Sequence, residues 1–335
     1  MEPHRPILPL VYHRAYSAPL PSSHRFPMAK FQMLQERLQQ GRFAAAAHWW
    51  EPLPAPRRWM EMVHGRAYLE AFAQGRLEAS ALRRIGLPAT TPLVRRTWLA
   101  VGGTVLTARL ALEKGIACHL AGGTHHAFAD EGSGFCIVND VAVAARVLLN
   151  EGRVGQVLVV DLDVHQGDGT AWIFRNEPRV FTFSAHCASN FPARKQRSDL
   201  DLPLEDGMED RAYLAQIEGV LPELLEKVQP DLVLYNAGVD PHHDDRLGKL
   251  CLSCEGLLAR DRVVLQACRS RGIPVATVLG GGYDELPALV ERHALVFQAA
   301  VEVMEEKRAE EVTYKEERHS GCTLANSPEQ RNQQS

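Results

Sequence analysis

The chain has 335 residues, 45% of them hydrophobic and 23% charged, with a formal net charge of −4. That is material for a large globular core, and no apolar run reaches the length of a membrane span. The mild negative charge argues against a partner held by bulk phosphate attraction, so no direct nucleic-acid contact is expected.

Taken in chain order, Met1 to Pro6 lack a charged segment followed by a signal-peptide core, which predicts a cytoplasmic location. A strand is expected at 7–12, then helices at 28–41, 56–75 and 93–114. An apolar strand at 116–121 ends in Gly122-Gly123 and, two residues on, His125-His126. The segment 137–150 is apolar on most sides, as suits a helix packed on a sheet. Asn139-Asp140 near its start can satisfy open N–H groups. The strand at 156–162, rich in β-branched residues, runs straight into Asp161-Leu162-Asp163-Val164-His165-Gln166-Gly167-Asp168-Gly169. A strand at 179–184 and a helix at 210–228 follow. The strand at 231–236 ends in Asn236-Ala237-Gly238-Val239-Asp240. After a helix at 256–271, the strand at 274–280 ends in Gly280-Gly281-Gly282-Tyr283, and a helix covers 286–308. From 307 the chain is polar, so residues 307–335 are expected to be a disordered tail behind a single domain, 1–306. Alternating strand and helix implies a mostly parallel sheet with helices on both faces.

Four strand ends therefore carry reactive residue types, and in parallel α/β sheets such ends converge on one crevice. Asp161, Asp163 and His165 alternate along an extended segment and fall on one side. Side chains of this kind are costly to bury unless paired or bound to metal. A divalent ion on Asp163, His165 and Asp240 would have three protein ligands and an exchangeable position, as a catalytic zinc needs. The same ligand types suit ferrous iron. His125 and His126 could then supply a general base. Asp161 and Asp168, outside the ligand count, could each accept an imidazole N–H. If both histidines were ligands instead, the site would hold two metals. Tyr283, on its glycine loop, could donate to a developing oxyanion; the plain alternative is a turn with a packed tyrosine.

Other motifs read more simply. His242-His243 with Asp244-Asp245 is expected to be an exposed loop, and Arg194-Lys195-Gln196-Arg197 a solvated one. His186 suits a supporting or core position. Cys136 suits a small buried hydrophobe. Seven cysteines in this length do not make a disulfide framework, and Cys251-Leu252-Ser253-Cys254 lacks the second pair of a zinc site. The glycine runs match no dinucleotide or phosphate fingerprint.

Gly123-Thr124-His125-His126, Gly134-Phe135-Cys136-Ile137-Val138-Asn139-Asp140, the 161–169 motif, Asn236-Ala237-Gly238-Val239-Asp240 and Gly280-Gly281-Gly282-Tyr283 resemble, in order and spacing, the zinc-dependent histone deacetylase superfamily. The resemblance spans residues 7–300. His24-Arg25-Phe26-Pro27-Met28, Gln166, Tyr235-Asn236-Ala237-Gly238 and Asp245-Arg246-Leu247-Gly248 look most like class IV and its bacterial relatives. The resemblance implies an arginase-like, three-layer α/β fold with a central, mostly parallel sheet of about eight strands, two more than the residues themselves indicate. It implies Zn2+ on Asp163, His165 and Asp240, His125 paired with Asp161, and His126 paired with Asp168. Tyr283 would polarise the acyl carbonyl, and Gly134 and Phe135 would line a tunnel for the acyl-lysine stem. Potassium is implied at Asp161 and Ser184, with the backbone carbonyls of Asp163 and His165. His13-Arg14-Ala15-Tyr16 and Cys187-Ala188-Ser189-Asn190-Phe191 depart from the better-known classes, so the rim of the pocket does not follow. The expected activity is removal of an acyl group, acetyl or longer, from a lysine side chain of a protein or peptide by metal-activated water. A small acylated amine such as an acetylated polyamine is the alternative substrate, and a non-catalytic acyl-lysine binder is a third reading. Acyl length and oligomeric state do not follow from the sequence.

Overall fold

The computed structural model describes residues 7–21 and 24–323. Strand β1 (Leu8–Val11) is followed by a one-turn 3-10 helix (Arg14–Tyr16), α1 (Lys30–Leu38), α2 (Gly41–Ala46) and β2 (Ala47–Trp50). Next come α3 (Arg57–Met60), α4 (Arg66–Ala73), α5 (Ala79–Ile85), α6 (Thr91–Lys114) and β3 (Ile116–His119). The middle of the chain forms α7 (Asp140–Asn150), β4 (Val157–Asp161), α8 (Asp168–Phe174), β5 (Val180–Cys187) and β6 (Leu200–Leu204). The last elements are α9 (Asp210–Val228), β7 (Leu232–Asn236), α10 (Cys254–Arg269), β8 (Val275–Val278) and α11 (Leu286–Thr323).

All eight strands pair in parallel in one sheet, ordered β2-β1-β3-β8-β7-β4-β5-β6. The inner strands β3, β8, β7 and β4 are buried at every residue. That is why they read as unbroken apolar runs rather than alternating patterns. β8, the last strand among the described residues, lies between β3 and β7. The two strands that the residues alone do not announce are the edges. His48 and Trp50 of β2 are exposed, and β6 carries Asp201 and Pro203. An edge strand needs no apolar run and tolerates proline, so the usual signals are missing there.

Helices cover both faces. α6 lies on β1, β3, β8 and β7, with α7 packed on α6. α11 lies on β1 and β3 and α10 on β8, with α1 against α11 and α9 against α10. α6 starts from an extended Thr90 followed by a proline in the first turn and ends at Gly115 with φ 88°. The helix expected over 56–75 is two helices, α3 and α4, broken before Gly65. α5 and α8 are additional short helices. α11 continues past its expected end at 308 to Thr323, and the rest of the expected tail lies outside the described residues.

Candidate active site

The four inner strands are consecutive in the sheet, and their carboxyl ends deliver the candidate residues to one place. From β3 the chain turns through Gly122-Gly123 to His125-His126. β4 ends on Asp161 and leads to Asp163, His165 and Asp168. β7 leads to Asp240, and β8 to Tyr283.

Asp163, His165 and Asp240 are all buried, with donor atoms within 4.8 Å of one another. His165 Nδ1 lies 3.1 Å from Asp163 Oδ1 and 3.0 Å from Asp240 Oδ2. The remaining oxygens are fixed by backbone: Val164 N donates to Asp240 Oδ1 at 2.9 Å, and Gly281 N donates to Asp163 Oδ2 at 2.7 Å. Gly281 has to be glycine, because a Cβ there would strike the carboxylates of both Asp240 and Asp163. Burial pushes Asp240 up to about 7, with Asp163 adding to the effect. Burial opposes charge on His165 too, yet Asp163 and Asp240 hold it up at about 10. Two buried carboxylates and an imidazole within reach of one point favour a cation at their centre. Two carboxylates and an imidazole with a pinned geometry fit a divalent cation of the zinc or ferrous type.

The two histidines have separate partners. His125 Nδ1 donates to Asp161 Oδ2 at 2.7 Å, and His126 Nδ1 donates to Asp168 Oδ1 at 2.6 Å. Their rings are tilted, with centroids 4.1 Å apart. Burial alone would lower His125, but Asp161 and Asp163 outweigh it and hold the ring up at about 9. For His126, burial and then the neighbouring His125 win, and the ring falls to about 4. Tyr283 completes the floor, its ring 6.3 Å from that of His165. Burial first, then Asp240 and Asp163, push its phenol well above the usual range. Its backbone N donates to Asp245 Oδ2 at 2.7 Å.

Gly134 and Phe135 form the wall, both with positive φ, 51° and 63°. Backbone N–H groups of the pair donate to Arg84 O and Ile85 O at the end of α5, at 3.2 and 2.7 Å. Phe191 lies beside Gly134, 44% exposed, with its ring 4.9 Å from His126. Asp161 and Ser184 are partners in register between β4 and β5, while Ser184 Oγ lies 3.0 Å from His186 Nδ1.

Several contributions escaped the sequence reading, which gave Asn139 as a cap of its helix and Asn236 as part of a motif. Arg260 on α10 is 0% exposed; its Nη1 donates to Leu162 O at 3.2 Å and Gly238 O at 2.6 Å, bracing the two loops that carry the candidate ligands. Its Nη2 pairs with Asp261 at 2.8 Å, and Tyr235 donates to the same oxygen. The signal was present: Arg260-Asp261 fall in the apolar phase set by Leu257, Val264, Leu265 and Cys268. Asn139 caps α7 and also donates to Ala127 O and Thr170 Oγ1, at 3.3 and 2.9 Å, behind the histidines. His64 supports it, accepting from Asn139 N at 3.0 Å. Asn236 Nδ2 donates to Asp161 Oδ1 at 2.9 Å. The expectation of an exposed loop at His242-His243 is corrected in part. His242 is 3% exposed and Asp245 is buried, because this segment bridges to Leu252. His242 Nδ1 accepts from Asp244 N, and Arg292 holds the Asp244 carboxylate, so this cluster is occupied by protein contacts.

A parallel α/β sheet with helices on both faces, carrying a buried Asp-His-Asp cluster and two Asp-paired histidines at its strand ends, defines an arginase/deacetylase-like fold. The comparisons agree. The histone deacetylase domain matches residues 24–300, and the chain belongs to that family. An uncharacterised protein of Picosynechococcus sp. is 52% identical over 296 residues, covering 88% of this chain and 99% of that protein. Histone deacetylase 2 of Arabidopsis thaliana is 32% identical over 250 residues, 72% of this chain and 64% of that protein. Human histone deacetylase 1 is 35% identical over 199 residues, and the match spans 55% of this chain and 40% of that protein. The crystal structure of the HDA15 HD domain shares the fold, with a TM-score of 0.73 over 88% of this chain and 90% of that chain at 20% identity. Among the described residues, no helix is long and apolar enough to cross a membrane.

Proposed function

We propose that this chain is a metal-dependent amidohydrolase that removes acyl groups from lysine side chains, and that it belongs among the class IV-like members of its family. The observation that carries the reading is the pair of buried histidines, each hydrogen-bonded to its own aspartate, beside a three-ligand cluster at a cavity lined by Phe135 and Tyr283. Asp163, His165 and Asp240 would hold a divalent cation, which would supply Lewis acidity to the acyl carbonyl. The phenol of Tyr283, kept protonated, donates to the carbonyl oxygen as it gains charge. His126 is the neutral imidazole: its Nε2 takes a proton from the attacking water and returns it to the leaving amine, while Asp168 fixes Nδ1–H. His125, held protonated by Asp161, contributes positive charge. Asp161 and Ser184 are proposed to hold a structural potassium ion behind it. The reading treats 1–306 as one catalytic domain in the cytoplasm.

The test is hydrolysis of acyl-lysine peptides from acetyl to myristoyl, by wild type and Asp163→Ala, with metal analysis alongside. Turnover that requires Asp163 is expected. Full metal occupancy without turnover of any peptide would sink the lysine reading and favour small acylated amines.

A further inference from the structure

The cavity that holds Tyr283, His125, His126 and Asp163 extends to Phe26, Phe31 and Arg96. None of these three has a task in the hydrolytic steps above. Arg96 enters from α6 and is 5% exposed. Its Nε donates to Tyr16 O at 3.0 Å. Among the described residues, neither terminal nitrogen has a hydrogen-bond partner, and neither is sealed away from the cavity. The guanidinium lies 4.9 Å from the centre of the Phe31 ring and 5.8 Å from that of Phe26. Phe26 in turn lies 6.5 Å from Tyr283, so an aromatic wall leads from the reacting carbonyl to the arginine.

A buried cation without a counter-ion is costly, by several kcal/mol in typical proteins. The carboxylate whose charge reaches Arg96, that of Asp140, is already engaged by Thr104 Oγ1 at 2.6 Å, Thr124 N at 2.8 Å and Gly123 N at 3.1 Å, and also by Thr124 Oγ1. Lys30 lies behind the aromatic wall, outside the cavity lining, 3.1 Å from His293 Nε2 and 5.5 Å above the Phe26 ring. The Arg96 end of the cavity is therefore walled by Phe26 and Phe31 and carries one cation. Its unused donors form a planar fork, which matches a carboxylate.

We propose that Arg96 is a specificity residue that takes the distal carboxylate of a short dicarboxylic acyl group, making malonyl-, succinyl- or glutaryl-lysine the preferred substrate class over acetyl-lysine. The inference rests on the hydrolase reading for the direction of entry. The lysine stem passes Phe135 and Phe191, the amide carbonyl meets Tyr283, and the rest of the acyl group points toward Phe26 and Arg96. Water is added across the C–N bond: the lysine nitrogen leaves as an ammonium, and the acyl carbon leaves as the second carboxylate of a dicarboxylate dianion. A neutral acyl chain of the same length leaves the guanidinium unpaired.

The test compares matched lysine peptides on the metal-loaded protein: succinyl with butyryl, glutaryl with pentanoyl, and acetyl as reference. Calorimetric binding of the same peptides to His126→Ala supplies a readout without turnover. The dicarboxylic member should be preferred by about tenfold or more in kcat/KM, as expected for a desolvated charge-assisted pair. Arg96→Met should collapse that ratio and Arg96→Lys restore part of it. Equal rates for the members of each pair, or equal loss of both in Arg96→Met, would give Arg96 a purely structural role and overturn the proposal. Inhibition by free acetate as strong as by free succinate would assign the guanidinium to the product and also overturn it. Turnover of neutral peptides alone leaves the hydrolase reading standing while this one falls. Selective binding of the succinyl peptide without turnover does the reverse.

Discussion

The two adjacent histidines have different surroundings, and the proposed mechanism gives them different work. His125 sits between Asp161 and Asp163, whereas His126 has Asp168 on one side and His125 on the other. Replacing His126 with alanine should therefore lower kcat by about 10²–10⁴, the range of a lost general base, and more than His125→Ala does. A larger loss from His125→Ala in single-turnover measurements would reverse the assignment. On the proposed mechanism, Tyr283→Phe removes one donor to the oxyanion. It should lower kcat by about 10²–10³ with metal content unchanged by elemental analysis. Most of these residues were legible in the sequence, because Asp, His and Tyr directly after an apolar run announce themselves. The His-Asp pairings came from family resemblance, since the chain's periodicity says nothing about which carboxylate reaches which ring. Arg96 and Lys30 were missed although the same signal as for Arg260 was there: each falls in the buried phase of its helix, Arg96 with Leu93, Leu99 and Ala100, and Lys30 with Leu34 and Leu38.

At the scale of elements, strands buried on both faces were read correctly, and what failed was whatever lacks a continuous pattern. β2 and β6 are edges with polar residues, and α8 is seven residues wedged between the active-site loop and β5. α10 matters more than its surface position suggests. Its Arg260 fastens the Leu162 and Gly238 carbonyls, so the helix holds both candidate ligand loops in register with each other. Arg260→Met strips these contacts and leaves Asp261 buried with only Tyr235. It should destabilise the protein by about 3–5 kcal/mol in urea unfolding, the usual cost of breaking a buried pair. Metal affinity, measured by competition with a chelator, should fall with it. A variant that unfolds with wild-type stability would show that these contacts do not hold the two loops.

At the scale of the molecule, buried neutral histidines tie stability to pH. Burial lowers His64 to about 4 and His119 to about 3. Each is held as a neutral ring: His64 accepts from Asn139 N, and His119 lies between Tyr16 Oη at 2.7 Å and Thr104 Oγ1 at 3.0 Å. Above about pH 6.5, folded and unfolded forms carry these rings unprotonated, and the full stability is present. As pH falls below that value the unfolded chain binds protons that the folded one refuses. Stability should then drop by about 1.4 kcal/mol per pH unit for each ring until its folded value is reached. Urea midpoints at several pH values between neutrality and pH 4 measure this slope, which His64→Gln and His119→Gln should flatten; an unchanged slope would clear these two rings. A different consequence follows from the place of β8 between β3 and β7. A growing polypeptide emerges with Asp163, His165 and Asp240 long before Gly281 and Tyr283. Until β8 slots in, β3 and β7 present two unpaired edges across an open gap, a state prone to wrong pairing. The candidate site can assemble only after residue 283 has emerged, and a ribosome that stalls before residue 275 releases two half-sheets with an incomplete ligand cradle.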